Sequence, residues 1–201
     1  MAFSHDKTLM TNNFLIIGLG NPGTGYAGNR HNVGFMVIDQ IISDYGFSKP
    51  SLKFGGAVAE GMIDGEKTYA FKPLGYMNIS GSPANEIAKF YKIPLKNIIA
   101  IHDDLDIAPG KLKVKRGGGS GGHNGLKSLD SHIGVDYLRV RIGIGHPGDK
   151  DMVSDYVLSN FRKEEITQIE SIIKETSKHV GCLLKSDEAG FMNKVSLSVG
   201  T

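Results

Sequence analysis

Phe14-Leu15-Ile16-Ile17-Gly18-Leu19-Gly20-Asn21-Pro22-Gly23 is a short apolar run that empties into glycines, the pattern of a buried strand followed by a loop. Gly18, Gly20 and Gly23 match G-x-G-x-x-G, and Asp39 stands about where a ribose-binding acid would. Taken alone, these residues invite a dinucleotide-binding, oxidoreductase reading. Their context argues against it. A pyrophosphate-binding helix begins inside the glycine motif, so that its N-terminal N–H groups meet the anion. Here Pro22, Gly23, Gly25 and Gly28 keep the chain in a loop, and helical spacing starts only at Val33. Asp39 falls within that helical pattern and not at the end of a second strand. What remains is a strand, a long loop and a helix, the opening unit of an α/β fold.

Working outward, Val33, Val37, Ile38, Ile41, Ile42 and Tyr45 recur at helical spacing, with Gly46 as a stop. Residues 57–63 and 67–73 flank Asp64-Gly65, a hairpin signal. Helical patterns follow over 82–91, with Pro83 early, over 124–132, and over 163–184. Strand patterns cover 97–101, 112–115 and 138–144, and the first of these runs into an acidic turn, His102-Asp103-Asp104-Leu105-Asp106. The tail beyond residue 184 carries no clear signal. Strands and helices alternate, and one hairpin breaks the rhythm. The expected fold is therefore a single α/β domain, a mixed sheet flanked by helices as a three-layer sandwich. It is expected to span 14–195, with 1–13 as a disordered extension.

The chain has 201 residues, 40% of them hydrophobic, enough for one sizeable core. A net charge of +2 excludes a general nucleic-acid glue, so any nucleic-acid contact must come from a local patch. Cys182 is the only cysteine, which excludes an internal disulfide and a cysteine-rich zinc site. No apolar stretch approaches the roughly 20 residues that span a bilayer. The expectation is a cytoplasmic protein without membrane contact.

Uncharged amides and histidines gather at the loops. Asn21, Asn32, Asn78 and Asn124 each stand at a loop or a helix start, as do His31, His123 and Asp103. Taken singly, each asparagine is well explained as a helix cap. Together they say more. Strands ending near Leu19 and Ile101 deliver Asn21, His31 and Asp103 to the loop edge of the sheet, where α/β ligand sites form. A histidine oriented by an aspartate is a general base, and amides are neutral donors for a carbonyl or its oxyanion. This supports hydrolysis or proton abstraction and names no substrate. Neither an H-E-x-x-H spacing nor a G-x-S-x-G elbow is present, so a base acting directly on water, with no metal, is the simpler reading.

Lys111, Lys113 and Lys115 recur with period two, as do Arg139 and Arg141 on another strand, near the glycine-rich run from Gly117 to Gly122. Such stripes commonly are plain solvated faces. Beside a glycine loop in a near-neutral protein they also suit phosphate.

The segments Gly18 to Gly23, Tyr26 with Arg30-His31-Asn32-Val33-Gly34, Tyr76-Met77-Asn78-Ile79-Ser80-Gly81, His102 to Asp106, Gly117 to Lys127 and Arg139 to Gly148 together resemble bacterial-type peptidyl-tRNA hydrolase, in the expected order over residues 14–184. The resemblance implies a cofactor-free, metal-independent and monomeric enzyme. It would cleave the ester between a peptide and the terminal ribose of tRNA, recycling tRNA in translation. By position it makes His31 the proton acceptor, Asp103 the residue that keeps it basic, and Asn21 the residue that distinguishes N-blocked substrates. Tyr26, Tyr76, Met77, Asn78 and Asn124 match substrate-contacting positions. Lys115 and Arg141, with Lys113 nearby, resemble a clamp for the tRNA's terminal phosphate. Tyr76 stands where the family usually has phenylalanine, and Asp104 where glutamate is common. A noncatalytic RNA-binding module is the remaining alternative to either enzyme class, although pure binding needs neither His31 nor Asp103.

Overall fold

The computed structural model describes residues 12–199. The expected extension, residues 1–13, therefore lies outside the described residues except for Asn12 and Asn13. Asn13 is already part of the fold: its carbonyl accepts from Asn97 Nδ2 at 3.1 Å, and its own Nδ2 donates to the Tyr91 carbonyl at 3.2 Å.

The elements, in chain order, are β1 (Phe14–Gly18), α1 (Val33–Asp44), β2 (Ser51–Lys53), β3 (Gly56–Ile63), β4 (Glu66–Pro73), α2 (Gly81–Phe90), β5 (Ile98–Asp104), β6 (Leu112–Arg116), α3 (Asn124–Ile133), β7 (Leu138–Gly143), α4 (Val153–Val157), α5 (Lys163–His179), α6 (Gly181–Leu184) and α7 (Glu188–Val199). The strands form one seven-stranded sheet in the order β2-β3-β4-β1-β5-β7-β6. β4, β1, β5 and β7 run parallel, while β2, β3 and β6 pair antiparallel at the two edges.

The quoted opening stretch explains the layers. Phe14 and Ile16 point into one core, with Ile38 and Ile41 of α1, Ile169 and Ile172 of α5, and Phe191 of α7. Leu15 and Ile17 point into the other, with Ala84 and Ile87 of α2 and Leu126 and Leu129 of α3. A parallel central strand has no solvent face, so both side-chain rows are apolar and helices cover each. Full burial of one such side chain stabilises the fold by about 1.5–3 kcal/mol. The mixed sheet between two helical layers is the three-layer sandwich expected from the sequence. Among the described residues, no helix is long and apolar enough to cross a membrane.

The glycine motif serves packing. A Cβ on Gly18 would lie 2.3 Å from the Gly34 carbonyl oxygen, and one on Gly34 would lie 2.4 Å from the Ile101 carbonyl oxygen. These two glycines let the start of α1 sit against β1 and β5, closer than any side chain permits. Asp39, the would-be ribose ligand, instead pairs with Lys72 on β4.

Three expectations need correction. His102, Asp103 and Asp104 do not form a turn: they are the last residues of β5, aligned with Arg141, Ile142 and Gly143 of β7. The helix expected over 163–184 ends at His179, and α6 is a separate turn. The break falls where a Cβ on Gly181 would lie 2.5 Å from Asp64 Oδ2, so the hairpin turn presses directly on the chain. The tail is also structured, since α7 buries Phe191 and Val195 against the sheet.

Candidate active site

A cavity of about 1090 Å³ opens at the C-terminal edge of the parallel strands. Its floor comes from the loop after β1 and the end of β5. The glycine-rich loop and the first turn of α3 form one side, and α4 supplies another through Val153 and Val157, followed by Leu158. Four glycines of the loop, Gly117, Gly118, Gly121 and Gly122, have positive φ of 67°, 98°, 58° and 86°. That winding resists side chains and accounts for the run of glycines.

His31 sits in a 3-10 turn, Arg30–Asn32, that feeds α1. Its Nδ1 lies 2.8 Å from Asp103 Oδ1. A carboxylate only accepts, so Nδ1 carries the proton and Nε2 is the free base nitrogen. Nε2 has no partner among the described residues, and the side chain lines the cavity with 11% exposure. His123 donates to the same carboxylate oxygen, Nε2 to Oδ1 at 3.1 Å. The tautomer of His123 is fixed from its other side, because Nδ1 accepts the Gly125 and Leu126 N–H groups at 3.1 and 3.3 Å and so caps α3. The two imidazole centroids are 4.8 Å apart.

Asp103 is 3% exposed. Burial alone would raise its pKa. The hydrogen bonds of His123 and His31, with the electrostatic attraction of the two imidazoles for the carboxylate, outweigh that and hold the carboxyl well below the usual carboxylate range. The carboxyl is therefore ionised at neutral pH. Beneath them His102 is buried, donating from Nδ1 to the Asp103 carbonyl at 2.7 Å. Burial, with His123 beside it, pushes its pKa down to about 3, so this imidazole stays neutral.

Asn21 and Asn32 exchange main-chain and side-chain bonds, Asn21 N–H to Asn32 Oδ1 and Asn32 Nδ2 to the Asn21 carbonyl, each 2.9 Å. Asn21 Oδ1 accepts the Met77 N–H at 2.9 Å. This fixes the orientation of the amide: Nδ2 is left as a donor on the cavity wall with no partner among the described residues. Tyr76, Asn78 and Asn124 line the same cavity and are exposed, and Met77 is buried behind them.

At the rim Lys115 and Arg141 face the cavity. They are diagonal neighbours across the β6–β7 pair, since Lys115 opposes Arg139 and Lys113 opposes Arg141. Arg139 leaves the expected basic stripe. It is buried, and its terminal nitrogens go to Asp130 Oδ1 at 2.8 Å and to the Gly119 carbonyl at 2.9 Å, tying the glycine loop to α3. Lys113 and Tyr26 do not line the cavity.

Ligand atoms of His31, Asp103 and His123, one from each, lie within 4.8 Å of one another, a possible ligand set for a cation. Asp103 Oδ1 already receives two N–H donors, so a cation would have to displace two protons.

Sequence reasoning left three participants without a role: His123 as the second partner of Asp103, His102 beneath it, and the wall from α4. The wall is held by Arg30, whose NH1 donates to Ser159 Oγ and the Asn160 carbonyl at 2.7 Å and whose NH2 meets Glu165 at 2.5 Å. Nothing local in the sequence signals contacts made across some 130 residues. The one usable hint was a histidine directly before a helix pattern, at a position where a capping acceptor is wanted.

A sequence model of the family described as peptidyl-tRNA hydrolase matches residues 15–200. The peptidyl-tRNA hydrolase of Bartonella quintana (strain Toulouse) is 50% identical over 183 residues, which is 91% of this chain and 95% of that protein. That of Chelativorans sp. (strain BNC1) is 51% identical over 185 residues, 92% of this chain and 77% of that protein. The crystal structure of peptidyl-tRNA hydrolase from Acinetobacter baumannii superposes with a TM-score of 0.88 at 40% identity, covering 94% of this chain and 97% of that one. The chain belongs to the peptidyl-tRNA hydrolase family.

Proposed function

We propose that this protein hydrolyses peptidyl-tRNA with a water molecule activated by His31. The observation that carries the reading is the commitment of Asp103 Oδ1 to two imidazole N–H donors, which leaves His31 Nε2 as the unprotonated nitrogen facing the cavity. Nε2 takes a proton from water as the oxygen attacks the ester carbonyl. Asp103 stabilises the imidazolium that forms. The same proton then goes to the departing ribose oxygen, giving a free peptide carboxylate and a tRNA with its terminal hydroxyl restored. A base of this kind contributes about 10²–10⁴-fold.

The Nδ2 donor of Asn21 is suited to a substrate carbonyl or the developing oxyanion, and Asn78 and Asn124 to the peptide main chain. Main-chain recognition fits acceptance of many peptide sequences. Tyr76 offers a face for the terminal base, where stacking is worth about 1–3 kcal/mol. Lys115 and Arg141 would take a tRNA phosphate, positioning the substrate without reading sequence. All of these groups belong to one chain, so a monomer suffices.

The test incubates the protein with N-acetyl-aminoacyl-tRNA and free aminoacyl-tRNA in excess chelator, beside His31→Ala. Cleavage of the blocked substrate alone, lost in the variant, is the expected result. Tight tRNA binding without cleavage would overturn the reading in favour of an RNA-binding module.

A further inference from the structure

Arg141 is held from behind. Its Nε donates to Asp104 Oδ2 at 2.8 Å, and Asp104 Oδ1 accepts the Asp106 N–H at 3.0 Å, so both carboxylate oxygens are committed. Asp104 is the last residue of β5, aligned with Gly143, and its carbonyl accepts the Ile144 N–H at 3.0 Å. The carboxylate is therefore nearly as fixed as the sheet. A guanidinium is a planar fork of five N–H donors, and anchoring it at Nε leaves two terminal nitrogens directed away from the anchor. Among the described residues neither terminal nitrogen of Arg141 has a partner, and the side chain lines the cavity.

Arg139, two residues earlier on the same face of β7, is the internal control. There the terminal nitrogens are spent on Asp130 and Gly119, while Nε is buried without a partner. One arginine offers its fork to the protein and the other offers it to the cavity. The difference lies in where the carboxylate meets the guanidinium.

We propose that Asp104 is a positioning residue that aims the terminal nitrogens of Arg141 at a phosphate of the bound tRNA. The proposal rests on the reading of Lys115 and Arg141 as phosphate contacts. Two effects of Asp104 oppose one another. Its charge repels a phosphate, so removing it would tighten binding on electrostatic grounds alone. Its hydrogen bond restrains a long side chain that otherwise loses its rotamer freedom only on binding. The pair is partly open to solvent, with side-chain exposures of 26% and 13%, so screening weakens the charge effect and the restraint prevails. The two effects have opposite signs in KM, which makes the proposal easy to break.

The experiment measures steady-state kinetics of the full chain with D104N, D104A and R141A. The substrates are N-acetyl-aminoacyl-tRNA and N-acetyl-aminoacyl-adenosine, which has the ester and no phosphate. An asparagine has a single acceptor oxygen and cannot hold both the Asp106 N–H and Arg141 Nε. The expected result is a KM for the tRNA substrate raised about 3- to 10-fold in D104N and D104A, with the adenosine ester cleaved as by the parent. In the ¹⁵N NMR spectrum the Arg141 Nε–H signal, assigned through R141K, should move and broaden in D104N while the backbone signals persist. A KM that falls or stays constant in the Asp104 variants overturns the proposal, as does equal damage to both substrates. If R141A leaves the KM for tRNA unchanged, the phosphate reading itself fails. If R141A raises that KM and the Asp104 variants do not, only the positioning role fails.

Discussion

At the floor of the cleft Asp103 is 3% exposed, its Oδ1 takes two imidazole N–H groups, and His123 is fixed from behind as the cap of α3. At the rim Lys115 is exposed with no partner among the described residues, and Arg141 keeps two terminal nitrogens free. Both regions are built from charged and titratable side chains, at opposite ends of satisfaction. On the floor Asp103 Oδ1 is committed to two imidazole N–H groups, and His31 Nε2 is the imidazole nitrogen left facing the cavity. The rim leaves the Lys115 ammonium and the two terminal nitrogens of Arg141 for a ligand to meet, with Arg141 paired to the protein only through Nε. Preorganised catalysis requires closure, and capture of a charged partner requires unspent charge.

The contrast predicts separable failures. Asp103→Asn is expected to give the largest effect, since a neutral amide no longer stabilises the imidazolium and its NH2 group can donate to His31 Nδ1, favouring the wrong tautomer. A loss in kcat of about 10²- to 10⁴-fold is expected, with the salt dependence of binding unchanged. Stopped assays across ionic strength would check this, and a changed salt slope would blur the floor–rim distinction. His123→Ala should lose about 10- to 100-fold in rate, because a hydrogen bond to a charged group goes with it. It should also lose about 1 kcal/mol of stability with the cap. His123→Asn should restore the stability, since asparagine caps well, and leave the rate low. Recovery of both by asparagine would mean that His123 acts only as a cap.

The rim variants Lys115→Ala and Arg141→Ala should weaken tRNA binding several-fold and lower the slope of log K against log salt by about one each. Equilibrium binding at a series of salt concentrations decides it, and full slopes in both variants would dismiss the clamp. The smallest expected effect tests the layer under the floor. The folded-state pKa of His102, about 3, lies below its ordinary 6.5, so between those values the unfolded chain binds a proton that the folded chain refuses. Stability from this group is complete above pH 6.5 and falls as the pH drops through that window. His102→Gln should flatten the dependence of Tm on pH between about 5.5 and 6.5, above the range where most carboxylates titrate. Equal slopes in parent and variant would show that His102 is not the group responsible.

Much of this was legible in the chain. The apolar run from Phe14 to Ile17, the Asp64-Gly65 hairpin and the α1 periodicity are local signals, each set by side-chain alternation or turn chemistry within a few residues. They defined the mixed sheet and its helices, and they placed His31, Asn21 and Asp103 at one edge of the sheet. The glycine motif was legible as a loop, and its packing role was hidden, because Gly18 is required by Gly34 and Gly34 by the Ile101 carbonyl. Only the tertiary structure decided that Asp103 serves two histidines, that Arg139 is spent on Asp130 while Arg141 is presented, and that α4 walls the cleft. The physical reason is distance along the chain. Periodicity and capping act over one or two turns, whereas the His31–Asp103 bond joins residues 72 apart and the Arg30–Glu165 pair joins residues 135 apart. Two arginines with the same spacing, strand and face look identical in sequence, and the carboxylates that separate them arrive from β5 and α3.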